Sequence, residues 1–295
     1  MDQISLRAYA KVNLTLDVVG KREDGYHLLE SIMQSISLWD TITLKRQESG
    51  IEIETNDPKL PVDSRNICWQ AVLAFQKTTG VDHGVKINIS KGIPVSAGLG
   101  GGSADAAAVL YGLNRLFNTN LELDMLQNIG VQIGADVPFC LKGGTVLVQG
   151  IGEKTTGLTN LPRMFFVLIK PDVEVSTAEV YGRLSNSAHG GKWTEGFKKA
   201  LERNKSIEEL SLGLANALES VTIELVPEVG LWKKRLVEHG ALSALMSGSG
   251  PTVFGVFANE EGAVAFKRSW QGSNIFLATP KSHGVEQVLN GGVQL

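Results

Sequence analysis

The chain has 295 residues, 43% hydrophobic and 20% charged, enough for one or two domains that bury roughly three-quarters of their surface without staples. Twenty-eight Lys and Arg against 31 Asp and Glu leave a net charge of −3, which lacks the basic footprint of a nucleic-acid binder. Two distant cysteines, Cys68 and Cys140, exclude a disulfide framework and a cysteine-type zinc site. With no signal-like leader and no apolar run of spanning length, the expectation is a soluble cytoplasmic protein without a membrane partner.

Ile4, Leu6, Ala8, Ala10, Val12, Leu14 and Leu16 alternate with Ser5, Arg7, Tyr9, Lys11, Asn13, Thr15 and Asp17. This period of two predicts a half-buried strand with Lys11 and Asn13 on its polar face. Residues 21–25 read as a turn on the Asp24-Gly25 signal. Short strands are predicted at 41–44 and 51–55, a helix over 67–75 and a strand over 85–89. A glycine-rich loop, 92–102, runs into a helix whose apolar positions Ala106, Val109, Leu110, Leu113, Leu116 and Phe117 share one face. A second helix carries Leu126, Ile129 and Ile133, and 134–139 reads as a non-helical link to a strand at 145–148. Residues 150–163 mark the boundary between an N-terminal domain, 1–157, and a C-terminal domain, 158–295.

The second half opens with a strand at 164–169. Ser176 and Glu179 have capping-box spacing and start a helix. An exposed loop is expected over 185–196, helices around 206–220, 228–239 and 260–270, and a strand at 252–257. Helices and strands mix without regular alternation, which predicts an α+β protein of two domains.

The most informative segment is Pro94-Val95-Ser96-Ala97-Gly98-Leu99-Gly100-Gly101-Gly102-Ser103-Ala104. Glycines there let backbone approach a ligand closely. The N-terminus of the following helix, with its unpaired N–H groups, favours an anion such as phosphate. It is not a Walker A loop, since no lysine follows Gly102, and Ser103 breaks the dinucleotide fingerprint.

This loop resembles the ATP loop of the galactokinase, homoserine kinase, mevalonate kinase and phosphomevalonate kinase (GHMP) superfamily. The segments Ala10-Lys11-Val12-Asn13-Leu14 and Asp24-Gly25-Tyr26-His27 resemble the opening of the 4-diphosphocytidyl-2-C-methyl-D-erythritol kinase family. Met246-Ser247-Gly248-Ser249-Gly250-Pro251-Thr252 resembles that family's C-terminal glycine loop. The resemblance implies a GHMP kinase fold, with an N-terminal domain like ribosomal protein S5 domain 2 and a ferredoxin-like C-terminal domain. It implies ATP bound by residues 94–104, with Mg2+, and a small-molecule acceptor bearing a diphosphocytidyl group. Lys11 and Asp136 would be the catalytic pair that orients the hydroxyl and accepts its proton. Asn13, Tyr26, His27 and Tyr181 would bind the acceptor, the aromatic rings stacking on its base. Gly101 and Gly102 stand where superfamily relatives carry serines, which leaves Ser103 as the hydroxyl at the loop. Asn66, Trp69 and Lys91 are expected to border the adenine pocket. The nearest alternative is another superfamily kinase, acting on homoserine, mevalonate or a sugar, against which the aromatic pair Tyr26 and His27 counts, because those acceptors carry no base. Two rivals of other classes are a non-catalytic nucleotide binder and an S5-like RNA-binding module. The presence of both Lys11 and Asp136 counts against the first, and the net charge against the second.

Overall fold

The computed structural model describes residues 2–23, 25–184, 192–270, 272 and 274–288. The fold starts from two long antiparallel strands, β1 (Gln3–Lys21) and β2 (His27–Gln47), paired from Gln3↔Lys45 to Lys21↔His27. The register shifts between Tyr9 and Lys11, between Asn13 and Thr15, and between Val18 and Gly20. Sequence alternation predicts β1 but only residues 41–44 of β2. The rest of β2 carries Ser31, Gln34, Ser35 and Asp40, all buried. They break the apolar period because their polar groups are satisfied inside the protein rather than by water.

Strands β3 (Ile51–Thr55), β4 (Gly84–Ser90), β5 (Thr145–Gly150) and β6 (Lys154–Gly157) extend this sheet. Its order is β12-β1-β2-β4-β3, with β5 on β2 and β6 on β5. Helices α1 (Ile67–Thr79), α2 (Gly101–Leu116), α3 (Leu123–Val131) and α4 (Val137–Lys142) accompany it. Helix α2 lies on β1 and β2, and the other three pack around α2. Its run Ala106-Ala107-Ala108 is fully buried. At Gly112 an added Cβ would come within 2.5 Å of Leu44 and 2.8 Å of Leu6. Small residues therefore set how closely the helix that starts at the glycine loop approaches the sheet.

The second sheet comprises β7 (Phe165–Ile169), β9 (Ser243–Met246), β10 (Val253–Phe257) and β11 (Ile275–Ala278). It is antiparallel throughout, in the order β11-β7-β10-β9. Between β7 and β9 lie α5 (Thr177–Arg183), α6 (Trp193–Glu202), α7 (Ile207–Leu212), the two-residue β8 (Ala215–Asn216), α8 (Glu219–Leu225) and α9 (Pro227–Glu238). Helix α10 (Glu260–Ser269) joins β10 to β11. The first strand thus sits beside the last, and helices cross between β7 and β9 and between β10 and β11, the split ferredoxin-like pattern. A second core, including Ile169, Val229, Leu236, Val253 and Phe266, fills the space between this sheet and its helices.

The expected break at 157/158 falls between β6 and β7, yet the later half returns to the first sheet. β8 pairs with β1 at Thr15↔Ala215 and Leu16↔Asn216, and β12 (Val285–Val288) pairs with it from Ser5↔Val288 to Ala8↔Val285. These strands pair with the edge of β1 that β2 leaves open. The helix expected around 206–220 resolves into α7, β8 and α8. Of the loop expected over 185–196, residues 185–191 lie outside the described residues, and Trp193 already begins α6. The non-helical link expected at 134–139 is also corrected, because Val137 opens the short helix α4 with Pro138 in its first turn, a position where the missing N–H costs nothing.

Candidate active site

A cleft of about 970 Å³ runs from the glycine loop to α5, in the size range of small-molecule sites. Lys11, Asn13, Tyr26, His27, Asp136 and Tyr181 all line it, as do Gly98, Gly100 and Ser103 of the loop. The other loop residues do not line it, and Ala97, Leu99 and Ala104 are buried in the core. The side chains of these three anchor the loop, so what it offers a ligand is mainly backbone, with Ser103 as the loop serine at the cleft.

Gly98 and Gly100 have φ of +75° and +69°, a conformation open to glycine at little cost. A Cβ on Gly98 would overlap the carbonyl of Ser247 and lie 2.9 Å from Gly250 O; one on Gly100 would lie 2.9 Å from Lys11 Cγ. Gly100 is the N-cap of α2 and supplies no side-chain bond to it, so the first-turn N–H groups of α2 are open to an anion. The C-terminal glycine segment closes against this loop. Ser247 Oγ donates to Gly98 O at 2.9 Å. Asn216 in β8 holds the segment from behind, its Nδ2 donating to Met246 O at 2.9 Å and Gly248 O at 2.7 Å.

The polar face of β1, expected to be half in water, is buried from Lys11 (4% exposed) to Asp17 (1%). Partners from distant segments account for this. Lys11 Nζ donates to Asn13 Oδ1 at 2.7 Å, Asn13 Nδ2 to Ser31 Oγ at 2.9 Å, and Ser31 Oγ to Thr15 O at 2.6 Å. Thr194 of α6 completes the series, its N–H donating to Asp17 Oδ2 at 2.9 Å and its hydroxyl to Thr15 Oγ1 at 2.8 Å. Lys11 therefore enters the cleft as a cation whose direction is fixed. It meets Asp136 Oδ2 at 3.5 Å. Asp136 starts α4 without a side-chain capping bond, which leaves its carboxylate to the cleft and to Lys11.

At the other end His27 stacks on Tyr181, ring centres 5.0 Å apart and planes 28° apart, with Tyr26 exposed beside the pair. Burial, and then the charge of Asp136, raises the Tyr181 phenol above its ordinary range. The hydroxyl is therefore a neutral group here. Ser176 caps α5 by accepting Glu179 N–H, and one residue on Thr177 Oγ1 meets Ser249 Oγ at 2.8 Å. This contact links the helix of Tyr181 to the glycine segment. Asp24 of the expected turn lies outside the described residues.

The residues expected at an adenine pocket do not line the cleft. Asn66 caps α1, accepting Cys68 N–H at 2.8 Å, and Trp69 packs on the core. Lys91 is buried between Asp40 and Asp105, 2.8 Å from Asp105 Oδ2. Burial, with Asp40 next to it, holds the Asp105 carboxyl well above the usual range. Cys68 and Cys140 are buried, and burial pushes both thiols up. Among the described residues no cluster of three His, Cys, Asp or Glu offers a metal site, and no helix is long and apolar enough to cross a membrane. Sequence reasoning missed Asn216, Thr177 and the turn Ile151-Gly152-Glu153, all at or against the cleft. Asn216 was masked by a helical pattern and the turn by its resemblance to a linker.

Two family profiles match, GHMP kinases N terminal domain over residues 66–144 and GHMP kinases C terminal over 197–275. The chain is 48% identical over 264 residues to a 4-diphosphocytidyl-2-C-methyl-D-erythritol kinase of Acetivibrio thermocellus, covering 89% of this chain and 93% of that one. A protein of the same name from Lachnoclostridium phytofermentans is 48% identical over 267 residues, covering 89% and 91%. A crystal structure of 4-(cytidine 5'-diphospho)-2C-methyl-D-erythritol kinase superposes with a TM-score of 0.79 at 32% identity, over 94% of this chain and 99% of that one. Homoserine kinase from Cytophaga hutchinsonii, also at 0.79 but 23% identical over 98% of each chain, shares the fold. With both GHMP kinase domains in order and near half-identity along almost the whole length of such relatives, the chain belongs to the 4-diphosphocytidyl-2-C-methyl-D-erythritol kinases of the GHMP kinase family.

Proposed function

We propose that the protein transfers the γ-phosphoryl group of ATP to the 2-hydroxyl of 4-diphosphocytidyl-2-C-methyl-D-erythritol. The observation that carries this reading is one cleft with three compatible stations: open helix N–H groups at one end, Lys11 and Asp136 in the middle, and the His27–Tyr181 stack at the other. The phosphates of ATP lie on the Gly98–Ser103 backbone at the start of α2. The acceptor hydroxyl sits at Lys11 and Asp136. As the new O–P bond forms, its proton passes to Asp136 Oδ2, and the bond from γ-phosphorus to the bridging oxygen breaks to release ADP. Lys11, locked by Asn13 and Ser31, stabilises the negative charge growing on the acceptor oxygen. The cytosine packs in the aromatic end, where Tyr26, His27 and Tyr181 offer ring faces.

Magnesium fits this donor set as an ion carried mainly by phosphate oxygens and water. Ser103 is the loop serine that lines the cleft, and Asp136 is engaged by Lys11. When bound, the ion neutralises phosphate charge.

The test is a substrate panel. Homoserine, mevalonate, galactose and the diphosphocytidyl sugar alcohol are offered at equal concentration with ATP and magnesium, and ADP release is followed. Only the last is expected to be turned over efficiently, and an equal rate with any other overturns the specific assignment. Asp136→Asn is expected to lower kcat roughly 10²–10⁴-fold while ATP binding survives, and more than half of the wild-type kcat would remove Asp136 from its role. Lys11→Ala is expected to be slow as well, without full additivity to Asp136→Asn, because the two act as a unit.

A further inference from the structure

The turn between β5 and β6 reaches the cleft at Ile151, Gly152 and Glu153, and no step described above uses it. Its backbone is tightly curled, with φ of +77° at Gly150 and +124° at Gly152. Glu153 holds the curl. Its Oε2 accepts Ile151 N–H at 2.7 Å, and the carboxylate as a whole occupies the space a Cβ on Gly150 would take. So folded, the turn brings Gly152 against the peptide that precedes Asp136. A Cβ on Gly152 would lie 2.5 Å from Ala135 O and 3.0 Å from the Ala135 carbonyl carbon.

The turn is itself held at both ends. β5 is paired with β2 from Leu29↔Gly150 to Gln34↔Thr145. On the far side Thr155 of β6 accepts Lys142 Nζ at 3.2 Å, and its hydroxyl accepts Gln127 Nε2 at 2.9 Å, the same nitrogen donating to Pro138 O at 2.8 Å. The path runs from β2 through the turn to α3 and α4, and it touches the chain on either side of Asp136, at Ala135 and at Pro138. The Asp136 side chain makes no capping bond, so its place opposite Lys11 depends on where its backbone is held.

We propose that Glu153 and Gly152 are positioning residues for phosphoryl transfer: Glu153 curls the turn, and Gly152 presses on the Ala135 carbonyl to fix the Asp136 carboxylate opposite Lys11. This rests on Asp136 being the proton acceptor. No covalent role is assigned to Glu153, whose carboxylate is occupied by the Ile151 N–H.

Kinetics of single and double variants test the proposal. Glu153→Ala is expected to lower kcat about 10- to 100-fold, the scale of a small misplacement of a reacting group, with KM for ATP and for the acceptor within about twofold of wild type. Glu153→Gln keeps a carbonyl for the Ile151 N–H and is expected to retain at least half of the wild-type kcat. Glu153→Asp, one methylene short, is expected to behave like alanine. In an Asp136→Asn background, Glu153→Ala is expected to change the rate less than about threefold, because its effect passes through the group already removed. A folded Glu153→Ala enzyme with kcat within twofold of wild type overturns the proposal. So do full additivity with Asp136→Asn and a Gln variant as slow as alanine. If Glu153→Ala does not fold, Glu153→Asp and Gly152→Ala are read by the same criteria. If Asp136→Asn itself leaves kcat above half of wild type, the underlying assignment fails; if it is slow while Glu153→Ala is not, only the strut fails.

Discussion

Tyr181 shows how one side chain can serve both packing and recognition. It is partly buried against the second core, stacked on His27, and its phenol is held neutral by burial and by Asp136. A ring fixed in this way loses little rotamer freedom on meeting a base, so stacking is worth roughly 1–3 kcal/mol. Tyr181→Ala is therefore expected to raise KM for the diphosphocytidyl acceptor about 5- to 150-fold and to leave KM for ATP within about twofold. Steady-state kinetics with each substrate varied separately provide the check, and an unchanged acceptor KM would take the ring out of the base site. The residues of this region were legible to different degrees. Lys11 and Asn13 could be read from the period of β1 together with a motif, and Tyr26 and His27 from their place after Asp24-Gly25. Burial of the β1 polar face could not be read. Lys11 and Asn13 are enclosed because Ser31, 18 residues from Asn13, and Thr194, 177 residues from Asp17, supply their neighbourhood with partners. A period of two in one strand carries no record of what packs on it.

The two glycine segments work as elements because each needs the other's backbone. Gly98 leaves room for Ser247, Ser247 bonds Gly98 O, and Asn216 clamps Met246 O and Gly248 O. Gly100 faces a side chain instead: its missing Cβ makes room for the stem of Lys11. Gly100→Val is thus expected to do more than weaken ATP binding. A β-branched residue at φ +69° is strained, and its bulk displaces Lys11 from Asp136. We expect both a higher KM for ATP and a lower kcat in a protein that still folds, measured by initial rates and thermal unfolding. An unchanged kcat would mean Lys11 is not held by this contact. Asn216→Leu is expected to destabilise by about 1–3 kcal/mol, the cost of leaving buried carbonyls unpaired, as read by urea unfolding. At this scale the loop and α2 were legible because glycine density and an apolar stripe are local signals. β8 was not, since two residues paired at Thr15 and Leu16 have no period of their own. Nor were β9, β11 and β12, each four residues long and defined by the strand beside it.

On the scale of the whole molecule, the cluster of Asp40, Lys91 and Asp105 joins three parts of the first domain: β2, the segment after β4, and α2. Asp40 Oδ1 accepts Gly92 N–H at 2.7 Å and Ile93 N–H at 2.8 Å, and its other oxygen meets Lys91. Asp105 Oδ2 shares the same lysine, while its Oδ1 is buried without a hydrogen-bond partner among the described residues. Two carboxyls around one buried cation cannot both ionise cheaply, and burial together with Asp40 pushes Asp105 up. Cys68 is a further titratable neighbour, and burial, then Asp105, raises it too; Asp105 also adds to the upward shift that burial and Asp136 give Cys140. The pH dependence follows from linkage. In the unfolded chain Asp105 loses its proton near pH 4, whereas the folded protein keeps it to higher pH. The folded state therefore binds more protons over that interval, and the contribution to stability is full below about pH 4 and is lost as pH rises toward the folded value. The slope is at most about 1.4 kcal/mol per pH unit for one proton. Asp105→Asn has nearly the same shape, offers an amide N–H where the protonated carboxyl has an O–H, and cannot ionise. Its unfolding free energy, measured by urea titration at pH 5 and pH 8, is expected to fall less between the two than that of the wild type, with KM for ATP unchanged because the cluster does not line the cleft. Parallel pH profiles for the two proteins would show that Asp105 is ionised in the folded state and that Lys91 neutralises both carboxylates.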